Sequence, residues 1–482
     1  MDLGRQSRVR QAFDTFFAPP EPPSEGDVLA LFHRTARTVP AYRKFLQEHG
    51  IAPENIRTLD EFRTLPPVDK AGYHRKYPLP ELCRGGTFDG LDMIAVSSGS
   101  SGHPTVWPRA LEDELHVARR FEQVLVGAFE ADRRRTLAVV CFPLGTWVGG
   151  LFTTACVRHL AAKGCPITVV APGNNKAEIL RVLPELAPHF EQVVLLGYPP
   201  FVKDVVDTGL AAGVDWPAYA IKLVLAGEVF SEQWRDLVAR RAGIADPVRD
   251  IASLYGTADA GVLGTETPLS AGIRRFFAAH PDLGREVFGD ARLPTLVQYD
   301  PASRFFEVHE GTLMFTADGG IPLIRYHIGD EGGLLPHDEL LAFCARHGFT
   351  PADSGPELPF VYVFGRSLFT VSFFGANVYP ENVTVGLEQP GISDTVTGKF
   401  VIESAEDADR DRRLRITVET APGATADADR IAVAVRDQLL RLNSEFAHYV
   451  PPERQLPDVV LRPAGDPEYF PAGVKHRYTR PT

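Results

Sequence analysis

The sequence predicts an α/β fold: a large N-terminal domain of several subdomains, with parallel sheets flanked by helices, and a small α+β C-terminal domain. At 482 residues the chain is too long for one hydrophobic core. Near-continuous apolar strands alternate with helices from residue 136 to 256, which is typical of a parallel sheet covered on both faces. A break rich in proline and glycine at 351–367 precedes a different pattern. We therefore expect domains at 1–366 and 367–482.

The first β-prone runs are LDMIAV (91–96) and TVWP (105–108), and they flank the polar stretch SSGSSGHPT (97–105). Its composition alone favours a flexible tether. Between two strands, however, Gly99 and Gly102 would let backbone amides point inward, as in a nest for polyphosphate oxygens. The hydroxyls would come from Ser97, Ser98, Ser100 and Ser101. No G-K-[ST] follows, so this is not a Walker loop.

The region 136–256 alternates five strands with four helices. We predict strands at 136–143, 166–173, 192–199, 221–228 and 251–256. The helices fall at 151–164, 176–190, 201–213 and 231–243. The last of these begins after an N-cap serine, Ser231, and ends at Gly243.

Ligands of parallel sheets bind beyond the carboxyl ends of the strands, in the loops that follow. Three such loops stand out: GYPP (197–200), AGEVF (226–230) and YGTADAG (255–261). The last would deliver three polar side chains to one crevice: Tyr255, Thr257 and Asp259. An ordinary strand-to-loop turn is the alternative interpretation.

From about residue 293 the pattern changes to short strands with β-turn residues. In IRYHIGDEG (324–332), Asp330 follows a glycine turn at a predicted strand end. A carboxylate there can accept from both hydroxyls of a ribose, although a solvated turn aspartate is commoner. In VFGRS (363–367), Arg366 could bind ribose or phosphate.

The C-terminal region predicts two strands, 399–406 and 412–420, and a helix at 427–446. Near its end lies Lys475, in FPAGVKHRY (470–478). A lysine in a tail is normally a solvated surface charge. The chain, however, has nine lysines against forty-one arginines, and only Lys399 and Lys475 lie beyond residue 222.

Composition excludes several classes of function. The net charge of −12 disfavours nucleic-acid binding, which needs clustered lysine and arginine. The five cysteines are scattered without a C-x-x-C pair, which indicates reduced thiols and neither a disulfide framework nor a zinc site. The N-terminus lacks an apolar core of signal-peptide length, and no apolar run suits a membrane helix. We expect a cytoplasmic protein, monomeric or a homodimer.

Taken in order, these motifs resemble the phenylacetate–CoA ligase branch of the adenylate-forming superfamily, which also contains acyl-CoA synthetases, luciferases and adenylation domains. The resemblance runs nearly from end to end. It rests on seven segments. In chain order they are an N-terminal segment (38–73), a phosphate loop (97–105), a Gly-Asn stretch (171–180), a GAE motif (226–235), a YG-x-x-E motif (255–261), a ribose-aspartate motif (322–330) and a hinge (365–383).

The resemblance implies activation of a small carboxylic acid by ATP and Mg²⁺, with release of pyrophosphate and then transfer to CoA. It implies nucleotide contacts from Ser97, Ser98, Gly99, Ser100, Ser101, Gly102, His103, Glu228, Tyr255, Gly256, Asp330 and Arg366. The reacting groups would be Lys475 and Thr257, with Asp259 where a magnesium-binding glutamate is usual. The acid pocket would be lined by Phe142, Trp147, Gly149, Tyr198, Ala226 and Gly227. The aromatic rings of Phe142, Trp147 and Tyr198 indicate an aryl or arylalkyl acid.

Four departures from the family pattern affect what is expected. His103 replaces a phosphate-loop lysine, and Asp259 is one methylene shorter than glutamate. Leu368 and Phe369 replace hinge acids, and Phe374 stands where a basic residue is frequent. The thioester step is affected more than adenylation. Transfer to an amine, a carrier protein or a nitrogen nucleophile, and a non-catalytic ligand-binding relative, therefore remain alternatives.

Overall fold

The structure is a computed structural model that describes residues 3–18, 26–97, 105–290, 292–352, 355–366, 370–470 and 478–479. The chain divides into two compact units. The first comprises Met1–Val96, Val106–Gly197 and Gly209–Gly365, and the second Ser97–Thr105, Tyr198–Thr208 and Arg366–Thr482. Within the described ranges, no helix combines the length and apolar character needed to cross a membrane.

The N-terminal part is mainly helical and ends in a strand pair. Its helices are α1 (Leu3–Phe17), α2 (Gly26–Thr38), α3 (Pro40–Glu48), α4 (Leu59–Arg63) and α5 (Leu79–Leu82). Strands β1 (Met93–Ser97) and β2 (Thr105–Arg109) then pair as a two-stranded sheet, followed by α6 (Leu111–Leu125). The predicted strands on either side of the polar loop are thereby confirmed.

Alternating strands and helices follow, as the apolar runs predicted. They are β3 (Thr136–Val140), α7 (Val148–Lys163), β4 (Ile167–Val170), α8 (Lys176–Leu186), β5 (Gln192–Gly197), α9 (Pro199–Ala211), β6 (Ile221–Ala226), α10 (Glu232–Ala242) and β7 (Ile251–Thr257). The five strands pair in parallel in the order β4-β3-β5-β6-β7. Ser231 caps α10 by accepting from the Trp234 N–H at 3.1 Å, and Gly243 ends it with φ +68°.

The sheet continues beyond β7 with six further strands, so that it is mixed and has eleven strands. The elements are β8 (Gly261–Thr265), α11 (Pro268–Ala279), α12 (Pro281–Phe288), β9 (Thr295–Gln298), β10 (Phe305–His309), β11 (Thr312–Ala317), β12 (Leu323–Leu335), α13 (His337–Arg346) and β13 (Phe360–Arg366). The strand order in this half is β10-β11-β12-β13-β9-β8, and β8 joins β7 in antiparallel register.

The hydrophobic core beneath this half combines N-terminal helices with the added strands. Phe32 of α2, Tyr42 of α3 and Phe62 of α4 belong to the same buried cluster as Phe315 of β11 and Tyr326 of β12. Full burial of an aromatic side chain stabilises by about 1.5–3 kcal/mol. The N-terminal helices are therefore part of the first unit and not an appendage.

The C-terminal part forms its own small sheet. The elements are β14 (Val371–Phe373), β15 (Ala376–Val378), α14 (Pro380–Leu387), β16 (Val396–Glu406), β17 (Arg412–Thr420), α15 (Ala428–Leu442), α16 (Ser444–Tyr449) and β18 (Asp458–Arg462). Strands β16, β17 and β18 make a three-stranded sheet that is separate from the large one. The predicted single helix at 427–446 is instead two helices, because Asn443 leaves the helical conformation (φ −123°, ψ 97°) and caps α16.

All five cysteines are free, as their spacing predicted. Four are buried: Cys83, Cys141, Cys156 and Cys344. Burial raises the pKa of the Cys83 and Cys344 thiols to about 11, which makes them poor nucleophiles at neutral pH.

Candidate active site at the carboxyl ends of the parallel strands

The candidate site residues follow neighbouring strands of the parallel half-sheet. Phe142 lies two residues after β3, Tyr198 directly after β5, Gly227 and Glu228 directly after β6, and Thr257 ends β7. Strands β3, β5, β6 and β7 are consecutive neighbours in the sheet, with Ala226 of β6 opposite Leu254 of β7. The strand order therefore gathers the predicted loops at one edge of the sheet, where α/β proteins bind ligands.

Asp330 and Tyr255 form a buried polar pair. The Tyr255 hydroxyl donates a hydrogen bond of 2.7 Å to the Asp330 Oδ2, and the two residues are 7% and 6% exposed. This contact joins the end of β7 to the antiparallel strand β12. Two motifs far apart in the sequence are thus brought together in the first unit.

The local structure around Asp330 differs from its prediction. The strand does not end at a glycine turn: β12 runs on to Leu335, so Asp330 lies inside it. The register shifts there, because Met314 pairs with His327 whereas Thr312 pairs with Glu331. Gly329, with φ +80°, supplies the left-handed conformation of this bulge. A β-bulge re-aims the side chain beside it, which here gives the Asp330 carboxylate its position against Tyr255.

Asp259 is buried, and each oxygen of its carboxylate contacts another side chain of the first unit. Its Oδ2 accepts a hydrogen bond of 2.7 Å from the Tyr326 hydroxyl. Its Oδ1 lies 3.0 Å from the Lys70 Nζ in an ion pair, and the Asp259 side chain is 2% exposed. A buried carboxylate is stable only when paired and hydrogen-bonded, and both conditions hold here.

Two buried arginines hold the backbone of the turn that carries Asp259. The Arg109 guanidinium donates to the carbonyls of Ala258 (2.5 Å) and Asp259 (2.9 Å). The Arg304 guanidinium donates to the next carbonyl, Ala260, at 3.0 Å. Burial lowers the pKa of Arg304 to about 10, so it stays charged at neutral pH. Three successive carbonyls are thereby fixed, which restricts the directions that the Asp259 side chain can take.

The Asp259 surroundings do not fit the magnesium site that the sequence predicted. Mg²⁺ requires near-octahedral oxygen ligands at about 2.0–2.1 Å and usually keeps several waters. Here one carboxylate oxygen is used by a hydroxyl and the other faces an ammonium group, with little exposed surface. We therefore derive no step through a metal ion on Asp259.

A group of three carboxylates lies elsewhere, in the second unit. Asp207, Asp409 and Asp411 are the one set of three potential metal-ligating side chains that the described ranges bring within 4.8 Å. The Lys203 Nζ lies 2.7 Å from Asp207, 2.6 Å from Asp411 and 3.4 Å from Asp409. Because the Lys203 ammonium already lies among these carboxylates, and the Arg454 guanidinium lies 2.9 Å from Asp411, we assign no metal to the group.

Strand β7 ends at Thr257, one residue beyond the predicted strand 251–256, and both Gly256 and Thr257 are half-buried. The Thr257 hydroxyl accepts from the Ala260 N–H at 3.3 Å, which closes the turn on itself. A Cβ at Gly256 would lie 3.2 Å from the Gly261 carbonyl oxygen of the neighbouring strand. The turn therefore places a hydroxyl and closely packed backbone at the strand end.

The loop after β6 begins with Gly227 (φ +86°), which reverses the chain so that Glu228 is half-buried. Behind this loop, α10 and α11 supply two buried arginines, Arg235 and Arg274. Their guanidinium carbons lie 5.1 and 5.5 Å from the ring centroid of Phe230. The loop is thus packed onto a rigid base.

The predicted acid-pocket residues divide between the two units. In the first, Phe142 is buried beside Gly149, whose added Cβ would lie 3.4 Å from the Phe142 Cβ, and Trp147 pairs with Val96 of β1. Tyr198 belongs to the second unit, where its ring centroid is 5.5 Å from that of Tyr449.

Several predicted residues lie outside the described residues or are described only in part. Ser98, Gly99, Ser100, Ser101, Gly102, His103, Lys475, Leu368 and Phe369 lie outside them. Ser97 is buried at the end of β1, and Arg366 is the last residue of β13. Phe374 is 2% exposed and has φ +53°, so it does not form part of a solvent-facing surface.

Four residues around Asp259 were missed by the sequence reasoning: Lys70, Arg109, Arg304 and Tyr326. Arg109 and Arg304 lie outside the motifs that drew attention. Tyr326 lies inside the ribose-aspartate motif at 322–330 and Lys70 inside the N-terminal segment at 38–73, but neither was given a role. The scarcity of lysine was a usable signal, because Lys70 is one of only nine.

Comparisons with known proteins agree with the resemblance. No family model matches the chain. Over 307 residues it is 25% identical to a phenylacetate–coenzyme A ligase of Aromatoleum evansii, an alignment that covers 62% of each protein. Over 419 residues it is 22% identical to the Thermus thermophilus protein of the same name, covering 84% of each. The chain thus spans less than two thirds of the first of these relatives.

In structure, the chain is similar to 2-hydroxyisobutyryl-CoA ligase in complex with 2-HIB-AMP and CoA. The TM-score is 0.65, with 98% of this chain and 90% of that one covered. At 15% sequence identity, this similarity shows a shared fold. The predicted resemblance and fold class are confirmed.

Proposed function

Since the chain is similar to phenylacetate–CoA ligases in sequence and shares the fold of a CoA ligase crystallised with an acyl-adenylate, we propose that it is an adenylate-forming ligase. It would activate a small carboxylic acid with ATP, release pyrophosphate and pass the acyl group to CoA. The observation that carries this proposal is the buried Tyr255–Asp330 pair at the end of β7. It supports a ribose-binding carboxylate at the edge where α/β folds hold nucleotides.

The reaction has two steps. A carboxylate oxygen of the acid attacks the α-phosphorus of ATP, the bond to the bridging oxygen breaks, and pyrophosphate leaves. The sulfur of CoA then attacks the acyl carbon, the bond to AMP breaks, and the thiol proton passes to solvent. Phosphoryl-type chemistry asks mainly for positioning and charge stabilisation from the protein.

The residues would divide this work as follows. Asp330 binds the ribose hydroxyls with help from Arg366, and Glu228 and Tyr255 lie near the adenine. Thr257 lies near the α-phosphate. The seven loop residues Ser97–His103 bind the outer phosphates, and Lys475 neutralises charge as the carboxylate attacks. The C-terminal part, from residue 367, acts as a lid.

The acid is proposed to be an aryl or arylalkyl acid. Buried Phe142 and Trp147 support this, since aromatic walls suit a flat apolar substrate. A second outcome, transfer of the acyl group to an acceptor other than CoA, is supported by the apolar Leu368 and Phe369 and by the buried Phe374.

Pyrophosphate release over a panel of carboxylic acids, with and without CoA, tests the proposal. Acid-dependent release with acyl-CoA formed at the same rate supports the ligase. Acid-dependent release with slow or no acyl-CoA formation supports the other acceptor. ATP binding without acid-dependent release would indicate a non-catalytic relative and contradict the proposal.

Asp330→Ala is expected to weaken ATP binding about 10–100-fold, because two hydrogen bonds to a carboxylate are lost. Tyr255→Phe, which keeps the carboxylate and removes its partner hydroxyl, should have a smaller effect of about 2–10-fold. Equilibrium dialysis with ATP measures both. An unchanged dissociation constant in Asp330→Ala would show that this residue serves only the bulge of β12.

A further inference from the structure

The structure places Lys70 firmly against Asp259. Val68, two residues before Lys70, is tied to the sheet: its N–H donates to the Arg325 carbonyl (3.1 Å), and the His327 N–H donates to the Val68 carbonyl (2.8 Å). Val68 thereby pairs with Tyr326, whose hydroxyl also contacts Asp259. The lysine therefore reaches Asp259 from backbone fixed on β12.

The turn that carries Lys70 is itself unusual. Residues Lys70–His74 form a single π-helical turn, and the Asp69 carboxylate caps it by accepting from the Gly72 N–H at 2.6 Å. Such turns are rare and frequently occur at functional sites. The His74 ring, below Trp107 at 4.4 Å between centroids, packs behind the turn. The turn that carries Lys70 is therefore held by the Asp69 cap and by the packing of His74 against Trp107.

The Lys70 side chain is partly exposed, although that of its partner is buried. The Lys70 side chain is 27% exposed whereas that of Asp259 is 2% exposed, and the Nζ lies 5.9 Å from the Trp107 ring centroid. Two neighbours of the ammonium, the carboxylate and the ring, are thus defined, and about a quarter of the lysine side chain stays exposed. A cation held in this way can bind an anion without losing its partner.

We propose, on the basis of the proposed function, that Lys70 is the cation that Asp259 holds and that its ammonium binds a phosphate of ATP. Asp259 is then a positioning residue for Lys70 and does not bind a metal ion. Arg109 and Arg304, through their bonds to the carbonyls of 258–260, fix the direction of the carboxylate.

The charge balance supports this assignment. The Asp259 carboxylate faces an ammonium group, and behind its turn lie two guanidinium groups together with the carboxylate of Asp113, whose charge acts on both. A divalent cation on the same oxygens would face Lys70 at close range, where like charges repel. The magnesium that accompanies ATP would then be held through the nucleotide's own phosphates.

Four variants test the assignment by equilibrium dialysis of ATP, in EDTA and in Mg²⁺. Lys70→Met should weaken ATP binding in EDTA at least tenfold, and Lys70→Arg should stay within threefold. The matched control is Lys222→Met, which breaks another ion pair of the first unit, Lys222–Asp250 (2.5 Å), at the opposite strand ends. Lys222→Met should leave ATP binding unchanged, because we attribute the weaker binding of Lys70→Met to the lost contact with phosphate and not to the loss of an ion pair.

The fourth variant, Asp259→Asn, addresses the metal. The free Mg²⁺ concentration that gives half-maximal ATP binding should change less than threefold, since Asp259 holds no metal ion. A change of threefold or more would overturn the assignment, as would Lys70→Met binding ATP in EDTA within threefold of the unmodified chain. Tight Mn²⁺ binding to the nucleotide-free chain that Asp259→Asn abolishes, read by electron paramagnetic resonance, would also overturn it.

These outcomes separate the inference from the proposed function. Failure of the unmodified chain to bind ATP would overturn both. Normal ATP binding and acid-dependent pyrophosphate release in Lys70→Met would overturn only the role of Lys70.

Discussion

Replacing Lys475 by alanine should lower the rate of adenylate formation at least about 10²–10³-fold while ATP still binds. The ammonium group would act on the charge that develops as the carboxylate attacks the α-phosphorus. An interaction made mainly in the transition state changes the rate more than it changes substrate binding. Acid-dependent pyrophosphate release and ATP dialysis measure the two quantities on the same preparation.

The chain offers a matched control in Lys399, the other lysine beyond residue 222. Its Nζ lies 3.5 Å from Glu419, and its side chain is 50% exposed whereas that of Glu419 is 3% exposed. Glu419 also accepts from the Thr397 hydroxyl and the Gly465 N–H, so it keeps hydrogen bonds when the lysine is removed. Lys399→Ala should therefore release pyrophosphate at the unmodified rate. Full activity in Lys475→Ala would show that Lys475 takes no part in the reaction and is an ordinary surface lysine.

The parallel half of the sheet could be predicted because its strands are buried on both faces. Such strands read as continuous apolar runs, and the helices between them have their own start and stop residues, as Ser231 and Gly243 show. The loops at the carboxyl ends followed from that topology alone. This part of the site needed no knowledge of long-range pairing.

The bulge at Asp330 could not be predicted in the same way. A glycine followed by an aspartate is typical of a turn, and nothing local indicates that Gly329 continues a strand as far as Leu335. The conformation at Gly329 and Asp330 is instead decided by the pairing of β12 with β11, whose register shifts between Thr312 and Met314. Tertiary pairing overrode the local turn preference.

The environment of Asp259 was missed for a related reason. Its partners come from three distant segments: Lys70 from the N-terminal part, Arg109 from β2, and Tyr326 from β12. The pairing of Val68 with Tyr326, between segments far apart in the sequence, helps to bring the lysine to the aspartate. A motif comparison assigns a residue by its place in the motif and carries no information about such neighbours.

A buried ion network beneath the β6–α10 loop gives the other large expected effect. Arg235 is fully buried, and its Nη2 lies 2.7 Å from Glu266 while its Nε lies 3.0 Å from Glu232. Arg274 bonds to Glu232 and to the carbonyl of Phe230. Although burial lowers the pKa of Arg235, the two glutamates outweigh it and leave the pKa raised.

Arg235→Met should destabilise the first unit by about 3–5 kcal/mol. Methionine fills a similar volume but takes the guanidinium away from buried Glu266 and leaves Glu232 with only that of Arg274, and breaking a buried pair in this way carries that cost. The four tryptophans, Trp107, Trp147, Trp216 and Trp234, all lie in the first unit. Tryptophan fluorescence during urea unfolding therefore reports that unit.

An exposed ion pair provides the comparison. Arg181 and Glu178 on α8 lie 2.6 Å apart with side chains 69% and 38% exposed. Arg181→Met should cost less than about 1 kcal/mol, since solvent already screens this pair. Equal losses in Arg181→Met and Arg235→Met would show that the buried network contributes no more than a surface pair.

The network also connects stability to the site. Glu266 accepts from the Ser253 N–H of β7 at 2.9 Å, and Arg235 donates to the Ile251 carbonyl at 2.7 Å. The strand that ends in Tyr255 is thus anchored by the same charges that support the loop of Glu228. Arg235→Met should weaken ATP binding even at temperatures where the first unit stays folded. Unchanged ATP binding in a folded Arg235→Met protein would show that the network contributes only to stability. The end of β7 would then be positioned by the sheet alone.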